Sequence, residues 1–262
     1  MPRTLRSIPG FFTAAGAGTN AATVSAGAVG TFAVDAFNSG NAYIESVWSS
    51  GATTDFVRIR SPRMHDANQG IRLRSGTVAN SNLLPWGAGI QIYSSDVPTV
   101  EIDATGAGTG LVVITYGYDD LSTGAPKLST WDEVQSRIVD VMDTEVSITS
   151  GAVGAYGVAA AINASFDNFK ADFSYALLGY TCSAAVGCVS INGPDTGNFD
   201  IAFPGDGDAR ETRDYFIKLS NLSGRASIPV IQANNRGGTV LKSVDTAAGT
   251  AVKVSLTLAR LG

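Results

Sequence analysis

Apolar and polar positions alternate along this chain in short runs, and the runs stop at glycine, asparagine, aspartate, serine or proline. The last run is the clearest. Val252, Val254, Leu256 and Leu258 alternate with Lys253, Ser255 and Thr257, the two-residue period of a strand with one buried face and one wet face. Leu111 to Ile114 is continuously apolar and reads as a strand buried on both faces. Strands are predicted over 31–37, 42–48, 56–60, 70–74, 89–93, 99–103 and 110–118, then over 156–161, 166–175, 189–191, 199–203, 215–219, 227–232, 239–244 and 251–259. One stretch departs from this pattern. From Leu128 to Asp143 a helix is predicted, because Thr130-Trp131-Asp132-Glu133 reads as a capping box and Trp131, Val134, Ile138, Val141 and Met142 recur at helical spacing.

Blocks on the two sides of that helix echo one another. Val24 to Val34 is echoed by Ile148 to Val158, Asp55 to Ile59 by Asp214 to Leu219, Ile71 to Leu73 by Ile228 to Val230, and Val100 to Tyr116 by Val240 to Leu258. The order is preserved, with extra residues around 83–98 in the first copy and 177–213 in the second. Many short strands without alternating helices exclude a parallel α/β sheet and leave sandwich, jelly-roll and Greek-key folds. The expected fold is all-β: two tandem jelly-roll β-sandwiches joined by a short α-helical linker. The expected division is an N-terminal arm at 1–20, a first jelly roll at 21–120, a linker with the helix at 121–145 and a second jelly roll at 146–262. Leu177 to Arg213 is expected to be an outward-facing insertion.

Composition narrows the function. The 262 residues carry a formal net charge of −5, too acidic for general binding of nucleic acid, which needs clustered Lys and Arg against phosphates. No apolar run approaches the roughly 20 residues of a bilayer-spanning helix. Arg3 and Arg6 lead into Ile8-Pro9-Gly10-Phe11-Phe12, and because Pro9-Gly10 interrupts the apolar stretch we read an arm there and not a signal segment. Cys182 and Cys188 are too few for a disulfide scaffold and read as separate thiols.

Candidate chemistry is sparse. Gly106 to Gly110 precedes a strand, whereas a phosphate-binding loop opens a helix, so it reads as a turn. His65, the one histidine, has Asp66 beside it and no nucleophile assigned to it. Asp119 with Asp120, and Asp206 with Asp208, could hold a structural calcium or be solvated turns; no other cofactor is implied. Arg58 and Arg60 project opposite Val57 and Ile59, and Arg72 and Arg74 opposite Ile71 and Leu73. If those strands pair, the arginines form a basic stripe that could meet an acidic surface on a neighbouring subunit or anionic lipid; the alternative is an ordinary solvated sheet face. Asn163 and Asn221 head glycosylation-type triplets. No acid, base and nucleophile set converges, so no enzyme is expected.

Two jelly rolls in tandem with a short helical connector resemble the double jelly-roll major capsid proteins of tailless, icosahedral, often membrane-containing viruses. Arg6-Ser7-Ile8-Pro9 before the first strand, and Thr123 to Ser129 after the last strand of the first copy, are similar to the corresponding stretches of the corticovirus-type capsid proteins of bacteriophages. The resemblance implies a structural protein of the virion, assembled in the host cytoplasm, whose homotrimers form pseudo-hexagonal capsomers. It implies partners as well: neighbouring capsomers, minor capsid or vertex proteins, and an internal membrane whose headgroups Arg3 and Arg6 would meet. No specific nucleic acid is implied. The competing reading is a phage appendage that binds a receptor or carbohydrate, with Tyr43, Trp48, Trp86 and Tyr93 as a sugar platform if they are exposed and as core if they are not.

Overall fold

Backbone amides and carbonyls that leave water must find partners, and in a chain whose apolar residues come in short alternating runs they find them between strands. The structure, a computed structural model, describes residues 3–25, 27, 32–37, 42–50, 54–63, 70–74, 82–83, 90–119, 127–205 and 212–262. The first ten strands are β1 (Arg3–Ala14), β2 (Gly18–Ala21), β3 (Thr23–Val24), β4 (Ala42–Ser50), β5 (Thr54–Arg60), β6 (Ile71–Arg74), β7 (Asn82–Leu83), β8 (Ile90–Gln91), β9 (Thr99–Ala104) and β10 (Gly108–Asp119). They form one sheet in the order β3-β1-β10-β4-β7, with β8 also on β4, and a second in the order β2-β9-β5-β6.

After β11 (Leu128–Ser129) come β12 (Ile138–Thr149), β13 (Ala160–Ala161), β14 (Ser174–Cys182), β15 (Val186–Asn192), β16 (Ile201–Gly205), β17 (Ile228–Gln232), β18 (Val240–Val244) and β19 (Ala251–Leu261). Their sheets run β11-β17-β14-β19-β12 and β13-β18-β15-β16. The two sheet pairs therefore repeat one scheme: β1-β10-β4 matches β12-β19-β14, and β2-β9-β5-β6 matches β13-β18-β15-β16. All the strand pairings recorded are antiparallel, the longest being β1 with β10 and β12 with β19.

The helix expected over 128–143 exists only at its start, as α1 (Trp131–Gln135). Its capping box forms as read: the Glu133 amide donates to Thr130 Oγ1 at 3.3 Å, and the Thr130 amide donates to Glu133 Oε2 at 3.0 Å. Beyond it the chain enters β12, where Thr144, Val146 and Ile148 are buried and Asp143, Glu145 and Ser147 are exposed. The spacing of Ile138, Val141 and Met142 fits either conformation locally. Pairing with β19 along the whole of β12 decides for the strand.

The converse occurs at 215–219, expected as a strand and found in α2 (Tyr215–Ser223). Tyr215, Phe216, Leu219, Ser220 and Ser223 face inward at helical spacing, and Gly224, at φ +63°, ends the helix in the left-handed conformation that glycine adopts without strain. The expected strand over 31–37 is irregular where it is described, and the run expected over 166–175 becomes strand only at Ser174. Residues 177–213, expected as an insertion, hold the end of β14 together with β15 and β16, which are sheet strands.

Three apolar clusters result. Val57, Ile59, Ile102, Val112 and Ile114 lie between the N-terminal sheets. Tyr180, Phe203, Val254, Leu256 and Leu258 lie between the C-terminal ones. The third joins the two pairs: Trp48, Leu111 and Val113 pack on Cys188, Ala202 and Val244. Leu111→Ala opens a cavity in this third cluster, and urea unfolding followed by tryptophan fluorescence is expected to show a loss of about 2–5 kcal/mol.

Candidate functional site

The surface that organises the molecule is the seam between the two sheet pairs, and β1 runs along it. The stretch expected to be a loose arm is a strand paired with β10 from Arg3 to Ala14. Its Ser7 amide donates to the Asp200 carbonyl at 2.7 Å, and the Ala202 amide donates to Ser7 Oγ at 2.8 Å. Ser7 Oγ also shares a 2.7 Å hydrogen bond with Thr115 Oγ1. Beside these polar ties the approach is close: a Cβ on Gly187 would stand 2.2 Å from Leu111 Cδ1, so a larger residue at that point of β15 would displace the Leu111 side chain.

Arg3 and Arg6, expected at an exposed inner surface, are both buried. Arg3 and Arg225 converge on Glu45, with Arg225 Nη1 donating to Glu45 Oε1 at 3.2 Å and its guanidinium 4.0 Å above the Tyr43 ring. Burial pushes the Glu45 carboxyl up from its ordinary value, against the pull of both guanidinium groups, and burial likewise lowers Arg3. Desolvation thus offsets much of the attraction, and the triad acts chiefly to fix how β1, β4 and the segment after α2 meet. Arg6 pairs with Asp35, whose other oxygen accepts from the Tyr116 hydroxyl at 3.0 Å. Farther along the seam, Lys242 Nζ donates to Asp200 Oδ2 at 2.9 Å and lies 4.2 Å from the centroid of the Tyr156 ring.

The strands that carry the candidate arginines pair. β5 and β6 are antiparallel neighbours, with Arg58 opposite Arg72 and Phe56 opposite Arg74. The adjacent strand β9 contributes Glu101 and Asp103 to the same face. Arg58 Nε donates to Glu101 Oε2 at 2.7 Å, and Arg60 Nη2 donates to Glu101 Oε1 at 2.9 Å. Arg72 is looser, half-exposed and 4.0 Å from Asp103. The hydrogen bond from Arg60 holds the Glu101 carboxyl below its ordinary range, burial opposes this, and Arg58 adds to the lowering. The charge on this face is thus partly neutralised, Arg58 and Arg60 sharing the one carboxylate of Glu101.

The remaining candidates separate. Asp119 lines a polar cleft of about 410 Å³ with Arg3, Arg225 and Glu133, where nearby guanidinium groups disfavour a divalent cation. Asp120, Asp206, Asp208, His65 and Trp86 lie outside the described residues. Among the described residues no group of three or more His, Cys, Asp or Glu side chains comes together as a metal site. Cys182 and Cys188 are separate buried thiols, and burial pushes Cys188 up to about 12. Among the described residues the aromatic platform does not assemble: Trp48 is fully buried in the seam, Tyr43 lies under Arg225, and Tyr93 is exposed. A groove of about 970 Å³ between the end of β12 and residues 156–160 is mostly apolar, and Lys253 is the charged residue lining it.

Glu45, Glu101, Asp200 and Arg225 were missed in the sequence. Glu45 carried a usable signal, since a carboxylate inside the apolar run Ala42 to Trp48 demands a buried cation. No helix among the described residues is long and apolar enough to cross a membrane.

The sequence matches no protein-family model and no curated protein. Among solved structures the chain is similar to one described as the crystal structure of the STIV MCP, at 8% identity, over 97% of this chain and 88% of that one, with a TM-score of 0.20. A superposition that loose carries no weight for fold or role.

Glu45→Ala leaves the buried Arg3 and the half-buried Arg225 without their carboxylate, and chemical denaturation is expected to show a loss of about 3–5 kcal/mol. Arg72→Ala, which removes a half-exposed pair, is expected to cost less than about 1 kcal/mol. Because the folded Glu101 carboxyl titrates below its unfolded value, its contribution is present above the unfolded value of about 4.3 and is lost as pH falls through the folded one. Glu101→Gln is therefore expected to show a shallower fall in melting temperature below pH about 4 than the unaltered chain.

Proposed function

We propose that this chain is a shell-forming structural protein of a virion, built as a double jelly roll. The observation that carries the reading is the strand order, repeated in the two sheet pairs. In each, the first long strand neighbours the last (β1 with β10, β12 with β19) and the second neighbours the next to last (β2 with β9, β13 with β18). That nesting of first with last strands supports reading each unit as a jelly roll. The units run from 3 to 119 and from 128 to 261, with α1 leading into the second.

Two similar barrels locked side by side by a buried seam give one subunit two of the six corners of a hexagonal tile, so three subunits complete the tile. Few charged side chains and many small ones suit close lateral packing, and a closed ring needs contacts between unlike surfaces. The chain's partners in this reading are further copies of itself and whatever proteins fill the vertices. Arg3 and Arg6 pair with Glu45 and Asp35 inside the fold, and the reading does not rest on their meeting lipid headgroups.

The test is mass photometry of the purified chain together with negative-stain micrographs. The expected species has three times the 27.0 kDa of one chain and a hexagonal outline. A chain that stays monomeric over the accessible concentration range, and forms no tiles or shells, overturns the reading.

A further inference from the structure

We propose that the side chains of Lys242 and Asn192 join covalently, the Lys242 amine displacing ammonia from the Asn192 carboxamide while Asp200 moves the protons. The observation behind this is a carboxylate that bridges an amine and a carboxamide. Asp200 Oδ2 accepts from Lys242 Nζ at 2.9 Å, and Asp200 Oδ1 accepts from Asn192 Nδ2 at 3.0 Å. General acid–base catalysis of acyl transfer needs one group within hydrogen-bond reach of both the attacking and the departing nitrogen. Asp200 holds that position.

Strand geometry explains why the three side chains meet. Lys242 on β18 stands opposite Ser190 on β15, and Asn192, two residues beyond Ser190, shares its face. On the other side of β15, Ile201 pairs with Ile191, which puts Asp200 beside Asn192. Lys242 and Asp200 thus belong to the strands flanking β15, two strand spacings or roughly 10 Å apart at the backbone. The lysine side chain must cross β15 to reach the carboxylate, and its amine ends over the strand that carries Asn192. This face is the one turned to the seam, where Cys188 and Ala202 are buried. The Lys242 side chain is 13% exposed and that of Asp200 4%, so water, the competing nucleophile, has little access. The Tyr156 ring, its centroid 4.2 Å from Nζ, confines the amine further.

A second observation removes a competing reaction. Asn192 is followed by glycine, whose backbone amide meets no side chain of its own in closing on the asparagine carboxamide. Here the Gly193 amide donates to Thr196 Oγ1 at 3.0 Å instead. The carboxamide is left to the lysine.

The reaction needs no oxidant, reductant or co-reactant. Lys242 Nζ passes a proton to Asp200, and the freed lone pair attacks Cγ of Asn192. The carbonyl π pair moves onto Asn192 Oδ1 and returns as the Cγ–Nδ2 bond breaks. Two protons travel in all from Nζ to Nδ2 through Asp200, and ammonia leaves as the ammonium ion. An ammonium group and a carboxamide become a secondary amide and free ammonium, so atoms and charge balance. Holding the nucleophile against the carbonyl supplies the rate that amides lack in free solution. The bond closes the chain between 192 and 242 around β16, α2 and β17. It restrains the unfolded chain as a disulfide does, and reductants leave it intact. It forms within one chain and does not depend on assembly.

The test is the intact mass of the purified full chain under denaturing conditions. The expected mass is that of the sequence less one molecule of ammonia, and fragment spectra of a digest are expected to contain a branched peptide joining Lys242 to Asn192. Lys242→Arg keeps a cation beside Asp200, and Asp200→Asn keeps the size and removes the proton carrier. Each is expected to restore the full mass, and Lys242→Arg is expected to migrate more slowly than the unaltered chain on a denaturing gel. Full sequence mass in the folded, unaltered chain overturns the proposal. Loss of water in place of ammonia also overturns it, since that places the bond on Asp200. A loss of ammonia that survives Lys242→Arg marks ring closure at an asparagine and overturns it as well. The unaltered chain alone decides the first two outcomes, so a variant that fails to fold does not remove the test.

Discussion

The amide of Ser7 pointing at the carbonyl of Asp200, with Leu111, Val113 and Trp48 pressed on Cys188, Ala202 and Val244 beside it, is the constraint on which the molecule depends. One strand, β1, satisfies two masters. Its inward side chains, Ile8 and Phe12, complete the N-terminal core, and its outward ones close the joint with the C-terminal sheets. The joint is as buried as either core, so the two sheet pairs meet through an interior. The buried Arg3 and Glu45, with the half-buried Arg225, give that interior a defined register, because a slip would strand a charge out of water.

Much of the architecture was legible, and for identifiable reasons. Strict alternation in β19 and the unbroken apolar run in β10 come from strands at the centre of their sheets, where the pattern has to hold along the whole length. The match of 100–116 with 240–258 falls on β9 and β10 against β18 and β19 and is topologically sound. Other matches were coincidences of composition. Asp55 to Ile59 is strand and Asp214 to Leu219 belongs to α2, while Ile71 to Leu73 and Ile228 to Val230 are strands at different places in the scheme. In a chain rich in alanine, glycine and threonine, five-residue likenesses arise without common geometry.

The errors of conformation share one cause. In 138–142 and in 215–219 the local spacing of apolar residues suits a helix and a strand alike, and long-range partners made the choice: β19 took the first, and the C-terminal core enclosed the second. The candidate interaction residues divide in the same way. Arg58, Arg60 and Arg72 could be assigned to one face because alternation fixes direction, but their neutralising partners Glu101 and Asp103 lie some 30 to 40 residues away and carry no local mark. Arg3 and Arg6 were misjudged because nearness to the start of the chain suggests exposure, whereas the depth of a strand is set by what lies over it.

The route of β1 imposes an order of events on synthesis. This strand is made before its partners: its hydrogen-bonded neighbour β10 follows about a hundred residues later and Asp200 nearly two hundred residues later. At ordinary ribosomal speeds the nascent Leu5 and Ser7 wait roughly 10–40 s for Asp200 to be made. Through that interval a twelve-residue strand with Phe11 and Phe12 at its end is left incompletely covered. Production of this protein in quantity therefore favours a cell that shields nascent β-strands or slows their mutual adhesion, and a chain released early would carry that adhesive end into solution.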